Sequence, residues 1–125
     1  TQQHVPVILW GSSYSAALVF PLGVRNAGKI AAILSFSPGE YFDDKQLVKR
    51  AAAQLSVPAY ITGAANSDET TAAKSIADAM SSRLVTRYVP KHGVHGASTL
   101  IAVKDPQGAE DNWLPVLAFL RKVAP

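Results

Sequence analysis

The chain has 125 residues, 48% of them hydrophobic and 17% charged, with no cysteine and a formal net charge of +3. That length and balance fit a single folded domain over residues 1–125 and exclude a disordered chain. Without cysteine there is no disulfide, no thiol nucleophile and no thiolate-bound zinc, and the compartment stays open, cytoplasmic or exported. The basic residues, from Arg25 to Lys122, are scattered rather than gathered into a stripe, which argues against nucleic acid as a partner. No apolar run approaches the roughly 20 residues needed to span a bilayer, and Thr1-Gln2-Gln3-His4 does not read as a signal sequence, so a soluble domain is expected.

The first apolar run, Val5-Pro6-Val7-Ile8-Leu9-Trp10, reads as a buried strand. It breaks at Gly11-Ser12-Ser13 and passes directly into a small-residue helix that starts at Ser13 and turns Ala16, Ala17, Leu18 and Phe20 inward. Pro21 has no N–H to donate, so that helix is expected to kink or end between Pro21 and Gly23. A second apolar run covers 30–36. The helix after it is expected from Asp43 or Asp44, whose carboxylates suit a first turn, with Leu47, Val48, Ala51, Ala52 and Leu55 on one face. The third run covers 57–62 and leads through Gly63-Ala64-Ala65-Asn66 to a helix capped by Ser67 or Asp68, with Ala72, Ala73, Ile76, Ala77 and Met80 as its apolar stripe.

The fourth run, 84–89, is followed by the loop Pro90-Lys91-His92-Gly93-Val94-His95-Gly96, a short apolar turn over 97–103 and a break at Asp105-Pro106-Gln107-Gly108. A last helix is expected from Asp111 or Asn112, with Pro115 early enough to be tolerated. Strands of near-continuous apolar character separated by helices indicate an α/β fold, a parallel sheet of about four strands flanked by helices. There is no internal repeat and no low-complexity tract.

Chemistry concentrates at the first strand–helix corner. A serine on a tight turn between a strand and a helix exposes its hydroxyl above the positive end of the helix, and the next backbone N–H faces the developing oxyanion of an acyl-transfer intermediate. Here those groups are Ser13 and the Tyr14 N–H. Such a serine needs an imidazole to take its proton and an acid to orient the imidazole, both on loops at the C-terminal ends of strands. His95, in a glycine-flanked loop after the last strand, is the candidate base, with His92 as its competitor. His4 precedes the first strand and belongs to the opposite end of the sheet.

The acid is expected on the loop after the third strand, where Asp68 is the first choice. Its competing role is to cap the helix, and if it does, Glu69 is next. A lone Gly-x-Ser is commonplace, and weight comes from its coincidence with the histidine and acidic loops in the order Ser, acid, His. His92 and His95 have no further cluster of ligand-bearing residues to complete a metal site, and no cofactor is expected. Glycine-rich nucleotide loops and a P-loop lysine are missing.

With Gly11-Ser12-Ser13-Tyr14-Ser15, Ser37-Pro38-Gly39-Glu40, Pro58-Ala59-Tyr60-Ile61-Thr62-Gly63 and Gly93-Val94-His95-Gly96, the chain resembles the α/β-hydrolase family, and within it the small serine esterases and dienelactone-hydrolase-like members. The likeness covers essentially the whole chain. It implies Ser13 as nucleophile, His95 as base, Asp68 as acid and the Tyr14 N–H as oxyanion donor, acting on a small carboxylic ester through an acyl-enzyme. Ser15 stands where the family pattern has its last glycine.

In the family, several strands and a second oxyanion donor precede the nucleophile strand, so this chain resembles a C-terminal half. The first strand, Val5 to Trp10, would then be an open apolar edge. It is expected to be covered by a complementary N-terminal chain or by self-association. The alternative is a non-catalytic binding or interaction module of the same fold, inactive without a complementary half. Tyr14, Tyr41, Phe42 and Trp113 are candidates for a pocket lining, though aromatics more often serve as core or rim.

Overall fold

The structure, a computed structural model, describes residues 5–125; His4 lies outside the described residues. Four strands, β1 (Ile8–Ser12), β2 (Ala32–Phe36), β3 (Ala59–Thr62) and β4 (Val85–Tyr88), form one sheet in sequence order, with every neighbouring pair parallel. The connections run through α1 (Tyr14–Arg25), α2 (Leu47–Gln54) and α3 (Ser67–Ala79). Right-handed crossovers between strands laid down in sequence order put successive helices on one face. The core agrees: Ala17 and Phe20 of α1, Val48 and Ala52 of α2, and Ile76 of α3 pack with Ile33, Ala59 and Ile61 of the sheet.

Alternate strand residues point to the opposite face. There Ala32, Leu34, Phe36 and Tyr60 meet Val116 and Phe119 of α4 (Ala109–Val123) and Leu100 of the short 3-10 turn Gly96–Leu100. The fold is therefore α/β, an all-parallel sheet between helices. Among the described residues no helix is long and apolar enough to cross a membrane.

Several element limits differ from the sequence-based expectation. β1 begins at Ile8 rather than Val5 and continues through Gly11 and Ser12, each registered against a β2 residue. Helix α1 runs through Pro21 to Arg25. Val19, Phe20 and Gly23 are buried against its neighbours, and this packing outweighs one missing hydrogen bond. The helix ends instead at Asn26, whose backbone N–H and side-chain amide both donate to the Leu22 carbonyl.

Helix α2 starts three residues beyond Asp44, because the carboxylate that accepts its first-turn N–H groups is Glu40 of the preceding loop: Oε1 and Oε2 accept from Val48 and Lys49, each at 2.9 Å. Helix α3 is capped by Asn66 rather than Ser67 or Asp68; its Oδ1 accepts the Glu69 N–H at 2.9 Å. Helix α4 starts at Ala109, ahead of Asp111, where Asp105 Oδ1 accepts the Gly108 N–H at 3.1 Å.

Candidate functional site

Ser13 sits between β1 and α1 at φ 62° and ψ −119°. A side-chain-bearing residue holds such a conformation at a cost of about 1–3 kcal/mol, met by the structure around it. The Ser13 N–H donates to Phe36 O at 2.9 Å, which ties the corner to the end of β2, and the Ser13 carbonyl accepts from Ala16 N at 2.9 Å as the helix opens. Gly11 is required by close approach, since a Cβ there would run into the carbonyl of Ser15. Ser15 adds a latch: its hydroxyl accepts from Ser12 N at 2.8 Å and donates to Ser12 O at 2.9 Å, so a serine two residues after Ser13 holds the turn with its side chain.

The loop after β4 brings His95 over this corner. Its Nε2 lies 2.8 Å from Ser13 Oγ and its Nδ1 lies 2.6 Å from Glu69 Oε2. An ionised carboxylate only accepts, so the Nδ1 proton belongs to the Glu69 bond and Nε2 is left to accept from the Ser13 hydroxyl. The loop is pinned by two backbone groups beyond the histidine: Gly96 N donates to Ser37 Oγ at 2.7 Å and Ala97 N donates to Ser12 Oγ at 2.8 Å. Gly96 has φ +70°, and a Cβ there would stand 2.5 Å from Ser12 Oγ.

Glu69 is the third residue of α3. Helical side chains lean toward the N-terminus, so its carboxylate reaches back over the helix start to the end of β3. Oε1 accepts from the Ala64 N–H at 2.8 Å and from the Ser37 hydroxyl. Burial pushes this carboxyl up, but the hydrogen bonds from Ser37, Ala64 and His95, together with the His95 charge, outweigh it and hold Glu69 below the usual carboxylate range.

The structure thus brings Ser13 and His95 together and sets Glu69, not Asp68, against the imidazole. Asp68 is exposed and makes no side-chain hydrogen bond among the described residues. It is not the cap either, so the expected conflict between its two roles does not arise. The signal that selects Glu69 is the spacing Asn66-x-x-Glu69, an N-cap followed three residues later by glutamate. His92 is exposed and takes part through its carbonyl, which accepts from Asn112 Nδ2 at 2.8 Å. The Tyr14 N–H, first in α1, has no acceptor among the described residues, as a helix start leaves it.

Around the site, the Tyr14 ring meets Tyr41 and Phe42 at centroid distances of 6.4 and 5.3 Å, and the Tyr41 hydroxyl donates to Ser37 O at 2.8 Å. Burial and the Glu69 charge both push the Tyr41 phenol up. Trp113 lies apart from this cluster, on α4, with its indole N–H donating to Leu100 O at 2.8 Å. Among the described residues no three His, Cys, Asp or Glu side chains converge as metal ligands. A cavity of about 240 Å³ lined by Pro21, Val24, Arg25, Leu47 and Arg50 lies at the far end of α1 from Ser13.

The arrangement can draw a proton from the Ser13 hydroxyl onto His95 while Glu69 stabilises the imidazolium. No family model, curated protein or solved structure matches this chain.

Proposed function

We propose that the protein is a serine hydrolase of carboxylic esters, similar in fold and site to the C-terminal half of an α/β-hydrolase. The observation that carries this reading is the pair of hydrogen bonds made by one imidazole, 2.8 Å to Ser13 Oγ and 2.6 Å to Glu69 Oε2. Glu69 takes the acid role for which Asp68 was the sequence-based choice.

In the first half-reaction Ser13 Oγ attacks the ester carbonyl carbon and its proton passes to His95 Nε2. The Tyr14 N–H stabilises the tetrahedral oxyanion. Collapse breaks the carbon–oxygen bond to the alcohol, which leaves with the proton held on His95. Water then gives a proton to His95, attacks the acyl-Ser13 carbonyl and releases the acid, and the proton returns to Ser13. Glu69 stays ionised and keeps the imidazole in the tautomer that can accept. The aromatic cluster of Tyr14, Tyr41 and Phe42 offers apolar surface beside Ser13 for an acyl or alcohol group.

The site is open: the His95 side chain is 52% exposed, and acyl transfer is favoured where water is excluded. Among the described residues β1 pairs only with β2, and Val7, Trp10 and, on α4, Leu114 are exposed. An apolar strand with a free edge recruits another strand. A complementary chain adding strands to β1 would close the site and supply a second oxyanion donor, and we favour it over self-association. Short and long acyl esters assayed with the native protein and with Ser13→Ala test the reading. Turnover lost in the variant supports it, and turnover retained contradicts it.

A further inference from the structure

Ser37 is 1% exposed and follows β2 at φ 65°, a backbone conformation that a glycine would adopt more readily. The side chain that makes this conformation costly is fully engaged. Its hydroxyl donates to Glu69 Oε1 and accepts from Gly96 N at 2.7 Å, so one oxygen joins the carboxylate to the residue after His95. The rest of Ser37 is held too: its N–H donates to Thr62 O at 2.8 Å, and its carbonyl accepts the Tyr41 hydroxyl at 2.8 Å.

We propose that Ser37 is a positioning residue that locks the Glu69 carboxylate against His95 by bridging it to the histidine loop. The inference rests on the proposed hydrolase reading for its catalytic meaning and on the bonds above for its geometry. Glu69 Oε1 has two donors, Ser37 and Ala64; Oε2 faces His95. Without the Ser37 hydroxyl the carboxylate is held by one backbone N–H and can turn away from Nδ1, and Gly96 loses the acceptor that fixes the loop. A glycine at 37 removes the hydroxyl while suiting the positive φ, which separates the polar role from the backbone one.

The test follows the His95 ring Nδ1 proton by NMR at one fixed pH in the full chain, in the native protein and in Ser37→Gly, Ser37→Ala and Glu69→Gln, with thermal unfolding as the check on folding. The same proteins, and Ser13→Ala, are labelled with a fluorophosphonate. A ring proton held in a short hydrogen bond to a carboxylate resonates far downfield, so Glu69→Gln moves it upfield. Ser37→Gly and Ser37→Ala are expected to move it upfield part of the way and to slow labelling roughly tenfold or more, as for losing a hydrogen bond to a charged group. A resonance that does not move upfield in a folded Ser37→Gly or Ser37→Ala overturns the proposal, whatever happens to labelling. Labelling that survives in Ser13→Ala overturns the hydrolase reading instead, while the Nδ1 proton still reports on Ser37.

Discussion

His95 Nδ1 and Glu69 Oε2 are 2.6 Å apart, while Asp68, one residue earlier on the same helix, is exposed. Successive helix residues are rotated by about 100°, so only one of two adjacent carboxylates can face back toward the strand ends. Asn66 fixes which one by capping at the Glu69 N–H. Glu69→Gln is therefore expected to slow ester hydrolysis about 10²-fold or more, the scale of a disabled acid–base pair, and Asp68→Asn to leave it unchanged. Steady-state rates of the two variants decide between the carboxylates.

The same carboxylate sets a pH dependence of stability. Glu69 is held below its ordinary value of 4.5, so the unfolded chain takes up its proton first as pH falls. Its contribution is fully present above that ordinary value and is lost as pH drops through the lower folded one. Urea unfolding of the native protein and Glu69→Gln should differ most at neutral pH and converge toward acid. A gap that stays constant down to strongly acidic pH would contradict this.

Activity has its own dependence. The imidazole must be neutral to accept the Ser13 proton, so hydrolysis is expected to be slow in acid and to rise as pH increases. A rate that does not fall in acid while the protein stays folded would argue against His95 as base.

Gly96 stands where the chain needs a positive φ and where a Cβ would lie 2.5 Å from Ser12 Oγ. Gly96→Ala should destabilise the protein by about 1–2 kcal/mol from the backbone conformation alone, with the contact to Ser12 added. It should also slow hydrolysis by shifting His95. Denaturant unfolding and rates measured on the same variant check both parts, and a variant as stable as the native protein would refute the first.

The free edge of β1 makes a prediction about assembly. Val7, just before β1, is 52% exposed, and among the described residues β1 pairs only with β2. If a complementary chain adds strands there, Val7→Lys should abolish its co-purification without unfolding this chain. Native mass measurement of the two preparations checks it.

Strand order and helix placement were legible because each apolar run is bounded by Gly, Pro or polar residues and the runs pair in sequence order. That Ser13 and His95 meet was legible for a related reason: both lie in breaks that follow apolar runs, beyond the C-terminal ends of strands. What local pattern misjudged was the helix limits. Packing carries α1 through Pro21, and the first turn of α2 is satisfied by Glu40, eight residues before the Val48 N–H it accepts and outside the usual cap position. The Asn66-x-x-Glu69 spacing is present in the sequence, but so are Ser67 and Asp68 as caps, and only Asn66 capping at the Glu69 N–H decides which carboxylate faces back. Ser37 had no local signature at all, since its role depends on Gly96, which approaches from 59 residues away.

The central claim is that Ser13 is a nucleophile raised by His95. The most direct measurement treats the native protein with a fluorophosphonate and locates the adduct by peptide mass spectrometry. One adduct, on Ser13, absent from His95→Ala, is the predicted result. Modification elsewhere, or equal modification of Ser13 without His95, would contradict the account.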